Sequence, residues 1–182
     1  IDRNIPFIKE FSVPYLIWYP FILGTLIYFC FKDRKVYYRT LLSIDIGMII
    51  CFLIYFLFQT TVPRPEVLGE DIFSKLVMLV YITDRPYNCF PSIHVLTSFL
   101  MIEAIAISSI RNKVNYVIIT LISVLIIVST FFIKQHVILD AAGSIIISII
   151  VFKLVDSIKR ERVLSWIKKQ YLLLMMRKKL EI

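Results

Sequence analysis

The sequence predicts an all-α protein, a polytopic transmembrane helical bundle, and two observations support this fold class. Hydrophobic residues make up 59% of the 182 residues, which is more apolar surface than a soluble chain of this size can bury. Five apolar stretches also approach the roughly 20 residues that a helix needs to cross a bilayer. Backbone amides in hydrocarbon must be satisfied within their own segment, and the stretches lack the period of two of barrel strands. All five are therefore predicted to be helical.

The predicted spans follow one another with short charged or proline-bearing connections. They cover residues 12–31, 40–58, 91–110, 114–133 and 136–155. The apolar segment 73–82 is too short to cross, so it is predicted to lie at the membrane interface or to be re-entrant. One membrane-embedded helical domain, residues 1–158, is therefore expected, followed by a separate tail.

The chain has a net charge of +8, and the distribution of its basic residues indicates how it is oriented in the membrane. Basic residues concentrate between the first two predicted spans, between the third and fourth, and after the last, and all of these loops fall on one side. The positive-inside rule makes that side cytoplasmic, so the segment 59–90 and the turn at 134–135 are predicted to face outward. Membrane lipids, and not nucleic acid, are therefore the expected partners.

We make further predictions for the first span and for the two chain ends. Aromatic residues of the first span, among them Tyr15 and Trp18, suit an interface belt, a lipid-facing wall or an opening for an acyl chain. Residues 159–182 mix basic and apolar side chains, which predicts a basic amphipathic cytoplasmic tail, with a partner-binding helix as the alternative. Because the chain begins with Ile1 rather than methionine, a preceding signal or helix is expected, which would give six spans in the full protein.

Histidine is scarce, and the only two, His94 and His136, fall at the outward ends of two different predicted spans. Either one alone is compatible with an ordinary polar residue at a membrane interface. Asp140 follows His136 by four residues, so on a helix it would share a face with the imidazole and fix its tautomer. The other ring nitrogen would then be free to act as a nucleophile or base. We therefore predict that the two rings converge at one membrane face.

Cationic and polar residues near the histidines suit an anionic ligand. Arg64 and Arg85 lie in the outer segment, and Lys134 precedes His136 by two residues. Guanidinium groups bind phosphate oxygens in a bidentate manner and a lysine adds a point charge, whereas headgroup snorkelling is the alternative for the arginines. The start of the third helix also places Ser92 and free backbone amides where they would hold a phosphate.

Two sequence motifs, Pro-Ser-Ile-His at 91–94 and Ser-Thr-x5-His-x3-Asp at 129–140, resemble those of the type 2 phosphatidic acid phosphatase superfamily. That family includes lipid phosphate phosphatases, vanadium haloperoxidases and, more distantly, inositol phosphorylceramide and sphingomyelin synthases. Its pattern is Lys-x6-Arg-Pro, then Pro-Ser-Gly-His, then Ser-Arg-x5-His-x3-Asp. The resemblance covers residues 59–140. Leu57, Ile93 and Thr130 stand where the family has lysine, glycine and arginine, and this leaves Lys134 and Arg85 as the available replacement cations.

The resemblance implies a role for each residue at the predicted site. His136 would attack phosphorus to give a phosphohistidine, Asp140 would orient His136, and His94 would protonate the leaving oxygen. No metal or other cofactor is implied. The predicted phosphate-binding residues are Arg64, Ser92, Lys134, Arg85 and Ser129.

Three functions are compatible with these motifs. The first is a metal-independent lipid phosphatase at the extracytoplasmic face that hydrolyses a phosphomonoester or diphosphate lipid of the phosphatidic acid or polyprenyl diphosphate type. The second is a lipid phosphotransferase of the phosphorylceramide synthase type, which the altered flanking residues favour. The third is a non-enzymatic transporter or metal-binding subunit, in which His94, His136 and Asp140 would be zinc ligands. A bacterial cell (inner) membrane is the expected location because no eukaryotic targeting motif is visible.

Overall fold

The structure, a computed structural model, describes residues 2–157, and the predicted tail at 159–182 lies outside them. Six α-helices and two short 3-10 helices account for the regular structure of this part of the chain. The α-helices are α1 (Ser12–Lys32), α2 (Arg34–Leu57), α3 (Ile72–Thr83), α4 (Ile93–Ile107), α5 (Lys113–Phe132) and α6 (Ile138–Ser157), and the 3-10 helices are Asp2–Asn4 and Lys9–Phe11. The predicted all-α helical bundle is confirmed.

Four of these helices, α1, α2, α5 and α6, are long and apolar enough to cross a membrane. The predicted span at 91–110 is wrong in its bounds, because α4 has only 15 residues between a Ser92 cap and Ser108. Most of α4 is covered by protein rather than left for lipid, and Leu96, Leu100 and Met101 are fully buried. A helix covered by its neighbours does not need a 20-residue apolar surface of its own. The 12 residues of α3 are too few to cross, as predicted for 73–82.

The helices run between two faces of the bundle. Asp33, between α1 and α2, accepts a hydrogen bond from the Ser108 hydroxyl at 2.9 Å and from the Ser109 backbone N–H at 2.7 Å. Near the start of α2, Arg39 pairs with Asp156 near the end of α6 at 2.5 Å. The connections that carry the basic residues therefore share one face. The connections that carry the two histidines lie at the other face.

Serine side chains of α6 join this helix to α4. The Ser144 hydroxyl donates to the Ser92 carbonyl at 2.9 Å, and the Ser148 hydroxyl donates to the Leu96 carbonyl at 3.1 Å. On the other side of α4, Gly47 of α2 packs so closely that a Cβ there would lie 3.1 Å from the Leu96 side chain. Small residues and interhelical hydrogen bonds are the usual means of close helix packing in membranes. They fix the start of α4 relative to the start of α6.

Candidate active site

The two histidines converge at one end of the bundle. Their ring centroids lie 6.2 Å apart, close enough for one phosphorus atom to contact both rings. His94 is the second residue of α4, and His136 lies in the turn between α5 and α6. Both are largely buried, with 8% of His94 and 10% of the His136 side chain exposed. The predicted convergence of the rings is present in the structure.

Asp140 holds His136, but not across a shared helix face as the sequence predicted. The fifth predicted span, at 136–155, begins two residues too early, because α6 starts at Ile138 and His136 precedes it. The Oδ2 atom of Asp140 lies 3.3 Å from His136 Nδ1 and accepts from the Val137 backbone N–H at 3.0 Å. The second bond is the helix-capping contact of an acidic residue in a first turn. Asp140 therefore caps the start of α6 and orients the imidazole with the same oxygen.

The turn before α6 directs His136 toward the site. Lys134 has a φ of +56°, and this left-handed conformation reverses the chain after α5. The Thr130 carbonyl then accepts from the backbone N–H groups of Gln135 at 2.9 Å and His136 at 3.1 Å. The Thr130 hydroxyl donates to the Ile127 carbonyl of its own helix. Thr130, where the family has arginine, therefore supplies a backbone acceptor to the turn and no cation.

His94 is held between two aromatic side chains of α1. Its ring lies 4.4 Å from the Tyr15 ring at 28° and 4.2 Å from the Trp18 ring, centroid to centroid. The Trp18 indole N–H donates to the Thr97 hydroxyl at 2.8 Å, which fixes the indole against α4. The Tyr15 hydroxyl lies 3.5 Å from His94 Nδ1 and donates to Asp84 Oδ2 at 2.5 Å. Tyr15 and Trp18 therefore line the site, a role that the sequence did not single out.

Arg64 connects the outer segment to the turn that carries His136. Its guanidinium donates to the carbonyls of Tyr81 at 3.2 Å and Asp84 at 2.6 Å, and to the Gln135 side-chain oxygen. The guanidinium carbon also lies 4.4 Å from the centre of the Tyr81 ring. Burial lowers the pKa of Arg64 below its ordinary value, although an arginine stays charged at neutral pH.

Two buried donors remain free beside this connection. Arg64 Nε and Gln135 Nε2 have no hydrogen-bond partner among residues 2–157, although both are buried. A buried donor without a partner costs about 1–3 kcal/mol, so an anion that accepted from both would recover that loss. Gln135 directly precedes His136 and is 3% exposed. It is a candidate phosphate-binding residue that the sequence analysis missed, because a lone glutamine carries no motif.

The two predicted serines have local partners. Ser92 is fully buried and caps α4, with its hydroxyl oxygen accepting from the Val95 backbone N–H at 3.4 Å. The Ser129 hydroxyl donates to the Ile126 carbonyl at 2.6 Å, within α5. Ser92 thus stands two residues from His94 at a helix N-terminus, where backbone N–H groups and the helix dipole favour an anion. The phosphate contact of Ser129 stays a prediction.

Lys134 and Arg85 are directed elsewhere in this structure. The Lys134 amino group donates to the backbone carbonyls of Ile5 and Asp2, the latter at 3.3 Å. Arg85 is exposed at the start of the loop that follows α3. Within residues 2–157, neither side chain forms a hydrogen bond with His94 or His136. Their phosphate roles stay predictions that require a change of side-chain conformation.

The zinc alternative for the same three residues lacks the required geometry. Within the described part of the chain, no group of three His, Cys, Asp or Glu side chains is placed to hold a metal ion. The two imidazole Nδ1 atoms instead face a hydroxyl and a carboxylate of the protein. Two separately oriented imidazoles with donors nearby are an arrangement suited to phosphoryl transfer, which depends on positioning and charge stabilisation.

The fold and this site together define a helical membrane protein with a two-histidine centre. A family model described as the PAP2 superfamily matches residues 36–163, which is well over half of the chain, and the protein belongs to that superfamily. Its members are phosphatases or phosphotransferases that act on phosphate esters. The matched region contains both motifs identified in the sequence, at 91–94 and 129–140, and also Arg64. No curated protein and no solved structure gives a significant match to the chain.

Proposed function

We propose that this protein is a membrane lipid phosphatase that hydrolyses a phosphomonoester or diphosphate lipid through a phosphohistidine at His136. The observation that carries the proposal is the 6.2 Å separation of the His94 and His136 rings, with Asp140 against the second. Substrates of the phosphatidic acid or polyprenyl diphosphate type suit a phosphate site at the ends of apolar helices. The acyl or prenyl chain would remain in the bilayer beside the bundle.

The proposed reaction has two displacements at phosphorus. Asp140 holds His136 Nδ1, so the lone pair on Nε2 attacks phosphorus while the bond to the leaving oxygen breaks. His94 gives its Nε2 proton to that oxygen, which leaves as the alcohol or as a phosphate monoester. Water then attacks the phosphohistidine, gives its proton to His94 Nε2, and releases inorganic phosphate. Both histidines return to their starting states.

The phosphate oxygens need a positive charge and hydrogen-bond donors around them, and three groups near the histidines support this part of the proposal. Arg64 contributes a fixed positive charge, Gln135 a free amide donor, and the start of α4 at Ser92 a set of backbone N–H groups. In this proposal these groups take over part of the role of the two family cations that Leu57 and Thr130 replace. The resulting site carries fewer charges than the family pattern, so weaker phosphate binding is expected.

The charge distribution supports an extracytoplasmic site. Lys32, Arg34 and Lys35 lie at the face opposite the histidines, beside Asp33 and the end of α4. A face rich in lysine and arginine is cytoplasmic by the positive-inside rule. The histidines would then open to the outer leaflet, and a bacterial cell membrane is the proposed location.

A lipid phosphotransferase is the second candidate, and the burial of the site favours it. His94 and the side chain of His136 are each about nine-tenths covered, and a site closed to water would favour an alcohol as the acceptor from the phosphohistidine. The chemistry on His136 and His94 is the same in both functions. Labelled lipid alcohols added during turnover separate them, because transfer gives a new phospholipid and hydrolysis gives free phosphate.

The proposal is tested with purified protein in lipid nanodiscs, supplied with phosphatidic acid or polyprenyl diphosphate labelled in the terminal phosphate. We expect phosphate release and an acid-labile, base-stable phosphoprotein after rapid quenching. His136→Asn should abolish both, and His94→Asn should slow release about 100-fold or more, the usual contribution of a general acid. Full activity in His136→Asn would overturn the proposal. Folding of each variant is checked by its thermal unfolding curve.

A further inference from the structure

We infer that Tyr15 is a positioning residue for His94, and that it connects this imidazole to the carboxylate of Asp84. The inference deepens the proposed function, since it concerns the acid of that same reaction. Tyr15 lies on α1 and Asp84 at the end of α3, so the three residues come from separate elements. Neither residue belongs to the motifs that identify the superfamily.

We call the path from His94 Nδ1 through the Tyr15 hydroxyl to Asp84 Oδ2 the relay, and its hydrogen bonds have a direction. Tyr15 is 3% exposed, and its hydroxyl donates its single proton in a hydrogen bond to Asp84 Oδ2 at 2.5 Å. Its oxygen can then only accept, and the polar atom facing it at 3.5 Å is His94 Nδ1. Catalytic hydrogen bonds are often long before a substrate is bound, so 3.5 Å is within the expected range. The proton on Nδ1 is therefore retained, and Nε2 is left for proton transfer.

The two imidazoles are thus supported in parallel ways. Asp140 contacts Nδ1 of His136 directly, whereas Asp84 reaches Nδ1 of His94 through the Tyr15 hydroxyl. A carboxylate in direct contact stabilises a positively charged imidazole strongly, which suits the nucleophile as it bonds to phosphorus. An interposed hydroxyl transmits less of that charge. This suits an acid, which must hold its proton and then release it.

The surrounding contacts hold the relay in place. Arg64 donates to the Asp84 carbonyl at 2.6 Å, which fixes the residue that ends α3. Trp18, one turn after Tyr15 on α1, lies 4.2 Å from the His94 ring and prevents it from turning away. The interfacial helix α3 then has a function beyond covering the bundle, because it brings a carboxylate to the acid.

The proton inventory in the first step is closed. His94 Nε2 gives a proton to the leaving oxygen as the bond from phosphorus to that oxygen breaks. Nδ1 keeps its own proton, which it donates in a hydrogen bond to the Tyr15 oxygen. The Tyr15 hydroxyl keeps its proton and continues to donate it in a hydrogen bond to Asp84 Oδ2. When water later attacks the phosphohistidine, its proton returns to His94 Nε2. Tyr15 and Asp84 neither gain nor lose a proton overall.

The test compares two substrates that differ in how much they need an acid. The variant Tyr15→Phe removes only the hydroxyl, and kcat/KM reports the formation of the phosphohistidine. For an alkyl lipid phosphate we expect kcat/KM to fall about 10-fold to 100-fold, the effect of one hydrogen bond to a charged group. For p-nitrophenyl phosphate, whose leaving group needs little protonation, the fall should stay below about threefold. The KM for the lipid should change little, because the Tyr15 hydroxyl is hydrogen-bonded to Asp84 and faces His94 Nδ1, and the relay acts through His94.

Asp84→Asn provides a second variant with the same expected pattern, because it removes the negative charge to which the Tyr15 hydroxyl donates. The double variant should be no worse than Tyr15→Phe alone, because without the hydroxyl Asp84 no longer reaches His94. Tyr19→Phe is the matched control, the same change on the same helix at a residue that is 66% exposed. Its rates on both substrates should equal those of the parent protein. If Tyr15→Phe does not fold, Asp84→Asn decides the question.

The outcomes separate this inference from the proposed function. Equal losses on both substrates in a folded Tyr15→Phe or Asp84→Asn protein would show a packing role and overturn the relay. Additive losses in the double variant would also overturn it. A parent protein that forms no phosphohistidine would instead overturn the proposed function, whatever the variants do.

Discussion

Replacing Asp140 with asparagine separates the charge of this residue from its shape. Oδ2 of Asp140 lies 3.3 Å from His136 Nδ1 and accepts from the Val137 N–H at 3.0 Å. The amide oxygen of asparagine has the same size and can accept from both groups, so the start of α6 is kept. The change therefore removes the negative charge beside His136 and leaves the packing as it was.

The size of the effect follows from the charge that develops on His136 as it bonds to phosphorus. A hydrogen bond to a charged group contributes about 1.5–3 kcal/mol, against about 1 kcal/mol for a neutral pair. The transition-state stabilisation lost in Asp140→Asn should therefore be at least about 1 kcal/mol. At 3.3 Å, two unit charges attract by about 5 kcal/mol at an effective dielectric constant of about 20, which sets the upper limit. We expect a value between these limits, a loss in kcat of about 100-fold.

The assay measures initial rates of phosphate release together with thermal unfolding in nanodiscs. Asp71→Asn is the matched control, because Asp71 caps α3 and pairs with Lys9 at 2.5 Å rather than with a histidine. The control should retain its rate within about twofold, and both variants should unfold within a few degrees of the parent protein. A loss below about threefold in a folded Asp140→Asn protein would refute the argument that this charge supports the nucleophile.

Three further predictions test the scaffold around the site. In Gly143→Ala the new Cβ would lie 2.5 Å from Cε2 of the Phe90 ring, so the ring must move, and we expect a net destabilisation of about 1 kcal/mol and a lower Tm; an unchanged or higher Tm would show that the ring turns freely. Burial would raise the pKa of Asp33, but hydrogen bonds led by those from Ser109 lower it to about 2, below the ordinary value of 3.8. The stabilisation from Asp33 is therefore present above about pH 4 and lost as the pH falls toward 2, so the Tm difference between the parent protein and Asp33→Asn should shrink over that window; a difference that does not depend on pH would contradict this. Lys134→Gly relieves a left-handed conformation that costs about 1 kcal/mol in residues other than glycine, so the Tm should hold or rise and kcat/KM should stay within about twofold. A loss of about tenfold in kcat/KM would mean that the Lys134 amino group of the parent protein reaches the phosphate.

Local sequence information was enough for the helices and the histidine motif. Long apolar stretches must be helical in hydrocarbon, and α1, α2, α5 and α6 follow from that rule alone. The fixed spacing of His136 and Asp140 predicted their contact, although through the wrong geometry. A left-handed Lys134 and the short connection to α6 placed His136 before the helix, and neither feature has a signature in the sequence.

Residues far apart in the chain could be brought together only by the packing of the helices. Tyr15 and Asp84 are separated by 69 residues, and Arg64 and Gln135 by 71, and no periodicity relates the members of either pair. Arg64 was expected to bind phosphate, yet much of its hydrogen-bonding capacity holds the outer loop to the turn that carries His136. Such partners depend on the angles and depths at which helices meet, which are set by many side chains at once.

The amino-acid sequence by itself determined that this chain is a helical membrane protein of a phosphate-transferring superfamily, because transfer of apolar residues into lipid and motif spacing are local properties. Only the tertiary structure decided that α4 is a short, protein-covered helix and that Tyr15, Trp18, Asp84 and Gln135 surround the histidines. The physical reason is that burial and hydrogen bonding of these side chains arise from contacts between elements, and those contacts exist only after the helices have packed.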